Sequence, residues 1–186
     1  MSEALKGKIA IVTGGGRGLG EAICEVLTDE GVTVVVADRD YQSARAVAMR
    51  LTSRNQNILD WPLDVRDSVG IKAFVANVHA RLHRIDILVN NAGVNVTADM
   101  DTLSVEEWDR ILNTNLRGAF LVSKAVWPIM KAQKNGHIIN TVSTASKRII
   151  SNAPAYNASK WGLAGLTQAM HVEGRQHGIK VTALNP

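Results

Sequence analysis

Short, almost wholly apolar runs recur along the chain and alternate with longer stretches in which apolar residues return every three or four positions. A short run that is apolar on both faces is typical of a buried β-strand, whereas the longer spacing is typical of a helix with one buried face. The run at 9–13 is a clear example, because glycines end it and no polar face interrupts it. Strands are predicted at 9–13, 32–37, 57–63, 85–89, 137–142 and 179–184.

Five helices are predicted between these strands. The first is expected to end near Gly31, and the second carries its apolar stripe across residues 44–51. The others are predicted at 67–82, from Ser104 onward, and at about 154–176. Ser104 and Glu107 have the spacing of a capping box, which begins the long fourth helix, and Pro128 is expected to bend or end it.

Alternation of strand and helix predicts an α/β fold in which helices cover both faces of a parallel sheet, giving three α/β/α layers. A Rossmann-type, doubly wound sheet of this kind has the strand order 3-2-1-4-5-6. No repeat or linker divides residues 1–186, which are expected to form a single domain. Because the chain ends just after the sixth strand and leaves it as a bare edge, that domain is expected to be truncated at its C-terminal end.

Composition narrows the class of protein. Hydrophobic residues make up 46% and charged residues 20% of the chain, as in globular proteins with a buried core. No apolar run approaches the roughly 20 residues that cross a bilayer, and the N-terminus lacks the apolar segment of a signal peptide. The lone cysteine, Cys24, is expected to be buried and fits a reducing compartment, so a cytoplasmic location is expected.

Charged and histidine side chains point to no nucleic-acid, membrane or metal partner. The net charge of +4 comes from scattered residues, whereas a nucleic-acid surface needs a basic stripe. His79 and His83 lie four residues apart on the third predicted helix, but no acid or cysteine cluster accompanies them. No metal site is therefore expected.

A glycine-rich loop joins the first strand to the first helix. Glycines let the backbone approach a pyrophosphate, and a helix N-terminus offers free N–H groups to it. A tight turn without a ligand is the alternative interpretation. The candidate cofactor-binding residues of the loop are Thr13, Gly14, Gly16, Arg17, Gly18, Leu19 and Gly20.

Asp38, at the end of the second strand, lies where a dinucleotide fold holds the adenosine ribose. A carboxylate there accepts hydrogen bonds from ribose hydroxyls and repels a 2′-phosphate, which favours NAD over NADP. Arg17 and Arg39 complicate this preference, since both could bind a phosphate. NAD is the predicted cofactor, with NADP as the alternative.

Tyr156 and Lys160 lie one helical turn apart near the start of the fifth predicted helix. A tyrosine on its own keeps its proton at neutral pH, and a nearby ammonium stabilises the phenolate. The pair is therefore suited to proton transfer at a hydroxyl or carbonyl oxygen. By itself the spacing is common and would fit an ordinary surface pair.

Several motifs in order make the chain resemble the short-chain dehydrogenase/reductase family, in its NAD-preferring branch. The resemblance runs from Lys8 to Pro186 and rests on Thr13-Gly14-x-x-x-Gly18-x-Gly20, Asn90-Asn91-Ala92-Gly93, Asn115, Ser143 and Tyr156-x-x-x-Lys160. Family members continue past this point with a substrate loop, further helix and a seventh strand. The resemblance thus implies the family's chemistry without most of its substrate pocket.

The resemblance implies four catalytic residues. Tyr156 would be the general acid/base, and Lys160 would stabilise its phenolate and hold the nicotinamide ribose. Ser143 would hydrogen-bond the substrate oxygen, with Ser146 and Thr144 as nearby competitors. Asn115 would hold a water that links the lysine to solvent, with Asn113 as the alternative.

The resemblance also extends the cofactor site. It implies an adenine contact at Asp64 and Val65, and contacts to adenine and ribose from Asn91, Ala92 and Gly93. For Asn90, bracing of the central sheet and direct cofactor contact are equally reasonable interpretations. Family members commonly form homodimers or homotetramers through the helix of Tyr156 and the helix of Asn115.

The sequence thus predicts an NAD(P)-dependent oxidoreductase that moves a hydride between the cofactor and a small secondary alcohol or ketone. One alternative is an NADP-dependent carbonyl reductase, such as a 3-oxoacyl thioester reductase. Another is a truncated dinucleotide-binding module without catalysis. The candidate pocket residues indicate a small to medium substrate of mixed polarity, and they are Val94, Asn95, Ala145, Asn152 and Ala153.

Overall fold

The computed structural model of the chain describes residues 4–53 and 57–186. Its centre is a parallel sheet of six strands in the order β3-β2-β1-β4-β5-β6, as predicted. Each predicted strand is present: β1 and β6 have the predicted ends, and the ends of the other four shift by at most two residues. The strands are β1 (Ile9–Thr13), β2 (Thr33–Asp38), β3 (Ile58–Pro62), β4 (Ile87–Asn90), β5 (Gly136–Thr141) and β6 (Ile179–Leu184).

Helices connect the strands and cover both faces of the sheet. Each parallel connection requires a crossover, and the helical stretches of the sequence provide it. The helices are α1 (Gly18–Asp29), α2 (Tyr41–Thr52), α3 (Ser68–Leu82), α4 (Val105–Leu112), α5 (Ala119–Gln133) and α6 (Pro154–Gly174), with short 3₁₀ turns at Thr144–Ser146 and Arg175–His177.

The predicted long fourth helix is two α-helices separated by a π-helical segment, Asn113–Gly118. Its start is as predicted, because Ser104 and Glu107 form the reciprocal bonds of a capping box. Of the two expected effects of Pro128, a bend or an end of the helix, the second is wrong, since α5 continues to Gln133. Pro128 is exposed and lies within α5.

Alternate residues of the strands enter two apolar cores, one on each face of the sheet. In β1, Ile11 packs into a core that includes Phe74 and Val122, whereas Ala10 and Val12 pack into a second core against α1 and α2. Burial on both faces explains why the central strands β1, β2 and β4 are continuously apolar rather than alternating. The two cores hold the carboxyl ends of the strands at one edge of the sheet.

A line of buried polar side chains crosses the first of these faces. Asn90 Nδ2 donates to Asn140 Oδ1 over 2.8 Å and to Ser123 Oγ over 2.9 Å, and Asn140 Nδ2 donates to Thr167 Oγ1 over 2.9 Å. These bonds tie β4 and β5 to α5 and α6. Asn90 therefore braces the centre of the sheet, which was one of its two expected roles.

Candidate active site

The glycine-rich loop turns from β1 into α1 at the carboxyl edge of the sheet. Gly14 has a φ of +64°, in the left-handed region that favours glycine. A Cβ on Gly20 would lie 2.0 Å from the carbonyl oxygen of Gly14, so the first turn of α1 packs directly against the loop. No side chain of the described residues caps α1 at Arg17, so the first N–H groups of the helix have no side-chain acceptor there.

Asp38 ends β2 beside this loop. Its Oδ2 accepts a hydrogen bond of 3.0 Å from the N–H of Gly16, and its Oδ1 accepts one of 3.0 Å from the N–H of Asp40. Each carboxylate oxygen has two lone pairs, so each retains capacity for a further donor. The loop thus fixes the carboxylate of Asp38 at the rim of the edge.

Thr13 and Asn91 hold the two neighbouring strand ends together. The buried Thr13 hydroxyl accepts from the N–H groups of Asn91 and Ala92, at 3.1 and 3.2 Å. Asn91 Nδ2 donates to the carbonyl oxygen of Gly14 over 3.1 Å. Both side chains therefore bond to the loops that surround the site.

A cavity of about 380 Å³ opens over this edge, between the ends of β1, β2, β3 and β4. Most of the predicted cofactor residues line this cavity. The exceptions in the glycine-rich loop are Thr13, Gly16, Leu19 and Gly20. The four candidate catalytic residues do not line it either. The sequence did not single out Leu63, Arg66, Arg110 or Thr114 as lining residues. The predicted residues that line it are Gly14, Arg17, Gly18, Asp38, Arg39, Asp64, Val65, Asn91, Ala92 and Gly93.

Asp64 and Arg66 form a planar fork at the β3 end of this cavity. Arg66 Nη2 donates to Asp64 Oδ2 over 2.6 Å, and Arg66 Nε lies 2.9 Å from Asp64 Oδ1. These hydrogen bonds from Arg66 are the main reason that the pKa of Asp64 is lowered. The carboxyl group is accordingly held in its ionised form.

Lys160 and Tyr156 lie on the first turns of α6. Lys160 is only 5% exposed, and its Nζ donates to the carbonyl oxygen of Thr141, at the end of β5, over 2.7 Å. The same nitrogen lies 5.5 Å from the centroid of the Tyr156 ring. Burial lowers the pKa of Lys160 to about 8, because desolvation disfavours the ammonium form.

Asn115 is carried by the π-helical segment and is fully enclosed. Its Oδ1 accepts from the N–H of Val94 over 2.8 Å, and its Nδ2 donates to the carbonyl oxygen of Val94 over 2.9 Å. Its Nδ2 also lies 3.1 Å from the hydroxyl of Ser159, next to Lys160. Ser159 was not predicted as a site residue, because nothing in its spacing indicates a bond to another helix.

Gly93 joins the cavity to the lysine. A Cβ placed on Gly93 would lie 3.4 Å from Asn115 Oδ1 and 3.8 Å from Lys160 Nζ. The cavity therefore ends beside Asn115 and Lys160, although neither lines it.

Ser143 follows β5 at the same edge of the sheet. Its Oγ accepts from the N–H of Ala145 over 3.2 Å and so caps the short turn that follows. Of its two competitors, Ser146 is buried with its hydroxyl on the carbonyl oxygen of Ser143, and Thr144 is exposed. Two expected pocket residues, Ala145 and Ala153, are buried in the protein rather than open to a pocket.

The residues at this edge fit a dinucleotide. The uncapped start of α1, with Gly14 and Gly18 in the cavity wall, suits a pyrophosphate. The Asp38 carboxylate has the free acceptor capacity that ribose hydroxyls require. The donor set and the open cavity therefore agree with the ligand that the fold implies.

A sequence profile described as short chain dehydrogenase matches residues 8–186. The chain belongs to the short-chain dehydrogenase family. An uncharacterised oxidoreductase of Staphylococcus aureus (strain MRSA252) is 32% identical over 182 residues, which are 98% of this chain and 78% of that protein. Members of the family are oxidoreductases that bind NAD or NADP.

Two solved structures of the family resemble the chain closely. A metagenomic short-chain oxidoreductase in complex with NADP has a TM-score of 0.95 and 39% identity, covering 99% of this chain and 84% of its own. An NAD⁺-bound xylitol dehydrogenase has a TM-score of 0.96 and 29% identity, covering 99% of this chain and 71% of its own. Both cofactors thus occur among the structural relatives of this short-chain dehydrogenase.

Two further findings concern the described part of the chain. None of its helices is both long enough and apolar enough to cross a membrane. Within residues 4–53 and 57–186, no three histidine, cysteine or acidic side chains are grouped so that they could hold a metal ion. His79 and His83 accordingly belong to no such group.

Proposed function

We propose that this short-chain dehydrogenase moves a hydride between NAD(H) and a small secondary alcohol or ketone, with Tyr156 as the general acid/base. The observation that carries the proposal is the placement of Lys160. Its buried Nζ lies 5.5 Å from the centroid of the Tyr156 ring and next to Gly93, which lines the cavity at the carboxyl edge of the sheet. A cation held there stabilises the phenolate.

Each candidate catalytic side chain has one task in this proposal. Tyr156 gives its phenolic proton to the oxygen of a ketone that is being reduced, and takes it back when an alcohol is oxidised. Lys160 offsets the phenolate charge, and Ser143 donates a hydrogen bond to the same substrate oxygen. Asn115 positions the Val94 segment and the hydroxyl of Ser159 beside Lys160. The nicotinamide, when bound, supplies or accepts the hydride.

NAD is the proposed cofactor because Asp38 ends β2, where a dinucleotide fold holds the adenosine ribose. A 2′-phosphate there would face its carboxylate directly. Arg17 and Arg39 line the same cavity and favour the second candidate, an NADP-dependent carbonyl reductase such as a 3-oxoacyl thioester reductase. The carboxylate carries more weight, because its hydrogen bonds to Gly16 and Asp40 fix it at the cavity.

The test compares Tyr156→Phe with Tyr41→Phe. Tyr41 is an exposed residue of α2 that hydrogen-bonds to Asp60, so its variant removes a phenol without touching the proposed chemistry. We expect Tyr156→Phe to lower turnover of secondary alcohols by about 10²- to 10⁴-fold with little change in cofactor affinity, and Tyr41→Phe to retain turnover. Equal turnover of the two variants would remove Tyr156 from the mechanism. A wild-type protein that binds NADH but turns over no alcohol or ketone would favour a non-catalytic binding module.

We also propose that the protein is a homodimer or homotetramer in the cytoplasm. Trp161 on α6 is 49% exposed and Phe120 on α5 is 42% exposed, so neither packs fully within one chain. Leu112, Leu116 and Leu166 line an adjoining apolar depression. Burial of these side chains against a second copy would remove apolar surface from water.

A further inference from the structure

An exposed segment, residues 147–152, connects the turn after Ser143 to the start of the helix that carries Tyr156. All six of its residues are exposed, and none belongs to a helix or strand. Exposed backbone outside regular structure is ordinarily the most mobile part of a protein. The hydrogen bonds at the two ends of this segment therefore decide whether it keeps one conformation.

The first end is held by the turn that follows Ser143. Ser143 Oγ accepts from the N–H of Ala145 over 3.2 Å. The carbonyl oxygen of Thr144 accepts from the N–H groups of Lys147 and Arg148, at 2.9 and 2.8 Å. These bonds end at Arg148, so the residues after it depend on another anchor.

That anchor is the side chain of Asn157, in the first turn of α6. Its Oδ1 accepts from the N–H of Ile150 over 3.0 Å, and its Nδ2 donates to the carbonyl oxygens of Ile150 and Ala153, at 2.7 and 2.8 Å. Asn157 is only 7% exposed, so these bonds are shielded from water. One carboxamide thus binds both backbone polar groups of Ile150 and uses both of its own N–H hydrogens.

A second loop is bonded to the same segment. The carbonyl oxygen of Asn152 accepts from the N–H of Ala98 over 2.8 Å, and Asn152 Nδ2 donates to Asp99 Oδ1. The earlier part of that second loop is held by Asn115, which bonds in turn to Ser159 of α6. The hydrogen bonds therefore leave α6, cross both loops and return to α6.

Both ends of this circuit lie within one turn of Tyr156, since the Ser159 hydroxyl donates to the carbonyl oxygen of Tyr156 over 2.8 Å. We propose that Asn157 is a positioning residue for the substrate, which fixes the segment 147–152 in its substrate-binding conformation before the substrate arrives. The proposal rests on the proposed function, since it takes Tyr156 and Ser143 as the groups that meet the substrate oxygen.

This role separates substrate binding from the chemical step. Without the carboxamide of Asn157 the segment must be ordered when the substrate binds, and that cost lowers the affinity for the substrate. Tyr156 keeps its place on α6, so the rate from the bound state changes little. A purely structural role would act differently, because a loss of folded enzyme lowers the apparent kcat and leaves KM unchanged.

Gln133 offers a matched control, because its carboxamide makes the same kind of bonds elsewhere. Its Oε1 accepts from the N–H of Ile85 over 2.9 Å, and its Nε2 donates to the carbonyl oxygen of Ile85 over 2.8 Å. Ile85 precedes β4, at the opposite edge of the sheet from the site. Gln133→Ala therefore removes a similar set of bonds without touching either loop.

The first test measures kcat and KM with NAD⁺ and isopropanol, sec-butanol or cyclohexanol for the wild type, Asn157→Ala and Gln133→Ala. We expect Asn157→Ala to raise KM for the alcohol about tenfold or more, with kcat within about threefold of the wild type. Gln133→Ala should leave KM within about twofold, even where it lowers the stability of the protein.

The second test uses trypsin and identifies the fragments by mass spectrometry. Cleavage after Arg148 requires the segment to leave its native conformation, so its rate reports how often the segment opens. We expect Asn157→Ala to raise this rate about tenfold, and Gln133→Ala to leave it within about twofold of the wild type.

A KM for Asn157→Ala within about twofold of the wild type would overturn the positioning role, and so would an equal rise in KM for Gln133→Ala. Equal cleavage after Arg148 in the two variants would overturn it as well, because the anchor would then not hold the segment. A wild type that oxidises none of the three alcohols would instead refute the proposed function. The trypsin test still decides in that case whether Asn157 fixes the segment, which separates the two failures.

Discussion

Lys160 donates a hydrogen bond of 2.7 Å from its Nζ to the carbonyl oxygen of Thr141. This bond joins α6 to the end of β5 and fixes the position of the ammonium group. The carbonyl group is a single neutral acceptor, and it offsets only part of the cost of burying the charge. Holding Lys160 in this buried position therefore disfavours its charged form.

The pH dependence of stability follows from this burial. The pKa of Lys160 is about 8 in the folded protein, against an ordinary value near 10.5 when unfolded. Between these values the unfolded chain binds more protons, so the free energy of unfolding rises with pH. Below about pH 8 Lys160 is charged in both the folded and the unfolded protein. The free-energy cost of burying its ammonium group is then constant and at its largest.

The measurement is the free energy of unfolding of the cofactor-free wild type minus that of Lys160→Met, by denaturant titration from pH 7 to pH 10.5. We expect this difference to grow in favour of the wild type above about pH 8, by at most roughly 3 kcal/mol. A difference that stays flat over this interval would show that the ammonium is not destabilised by burial.

Asn115 is expected to contribute to stability far more than its neighbour Asn113. Replacing Asn115 by alanine leaves the backbone groups of Val94 and the hydroxyl of Ser159 without their partner, which costs about 1–3 kcal/mol per buried group left unsatisfied. Asn113→Ala is the control, because Asn113 lies on the same π-helical segment but is only half-buried. The test is the thermal unfolding of both variants. Equal losses of stability would mean that the hydrogen bonds of Asn115 to Val94 do not contribute.

Gly20→Ala is expected to weaken cofactor binding and stability together. The new Cβ would lie 2.0 Å from the Gly14 carbonyl oxygen, so the loop and the start of α1 must separate. Val26→Ala is the control on the same helix, because Val26 is 63% exposed and its side chain packs little against the protein. We expect Val26→Ala to leave the affinity for NADH unchanged. An affinity for NADH that Gly20→Ala leaves intact would mean that the loop does not touch the cofactor.

Asp38→Asn is expected to move the cofactor preference toward NADPH. The change removes the negative charge that would face a 2′-phosphate, while an amide oxygen can still accept from the N–H of Gly16. We expect the ratio of the NADPH to the NADH dissociation constant to fall by about tenfold or more. Asp40→Asn is the control, since it removes the same charge two residues away at the start of α2. The same shift in both variants would indicate a general charge effect and not a direct contact.

The fold was predictable from the sequence because its signal is local and repeated. The central strands β1, β2 and β4 are short apolar runs, and the crossovers have helical spacing, so the topology follows from a few packing rules. The π-helical segment Asn113–Gly118 was not predicted, because apolar spacing does not reveal one extra residue within a helical stretch.

The candidate site was predictable where motifs are contiguous in sequence. The glycine loop and Asp38 meet at one edge of the sheet, and Tyr156 and Lys160 share a helix face. The contacts of Ser159 and the fork of Arg66 depend on where side chains point, which sequence spacing does not give. The same limit explains Ala145 and Ala153, which lie next to the site in sequence but face the interior.

The π-helical turn also sets the rotational phase of the two helices beside it. An α-helix rotates by about 100° per residue, and a π-turn holds one residue more than an α-turn. Residues before and after Asn113–Gly118 are therefore offset around the axis relative to an uninterrupted helix. Asn115 lies within this segment and is buried, as are Ile111 on α4 and Val122 on α5. The rotation of 100° per residue consequently describes relative positions within α4 or within α5, but not across the junction.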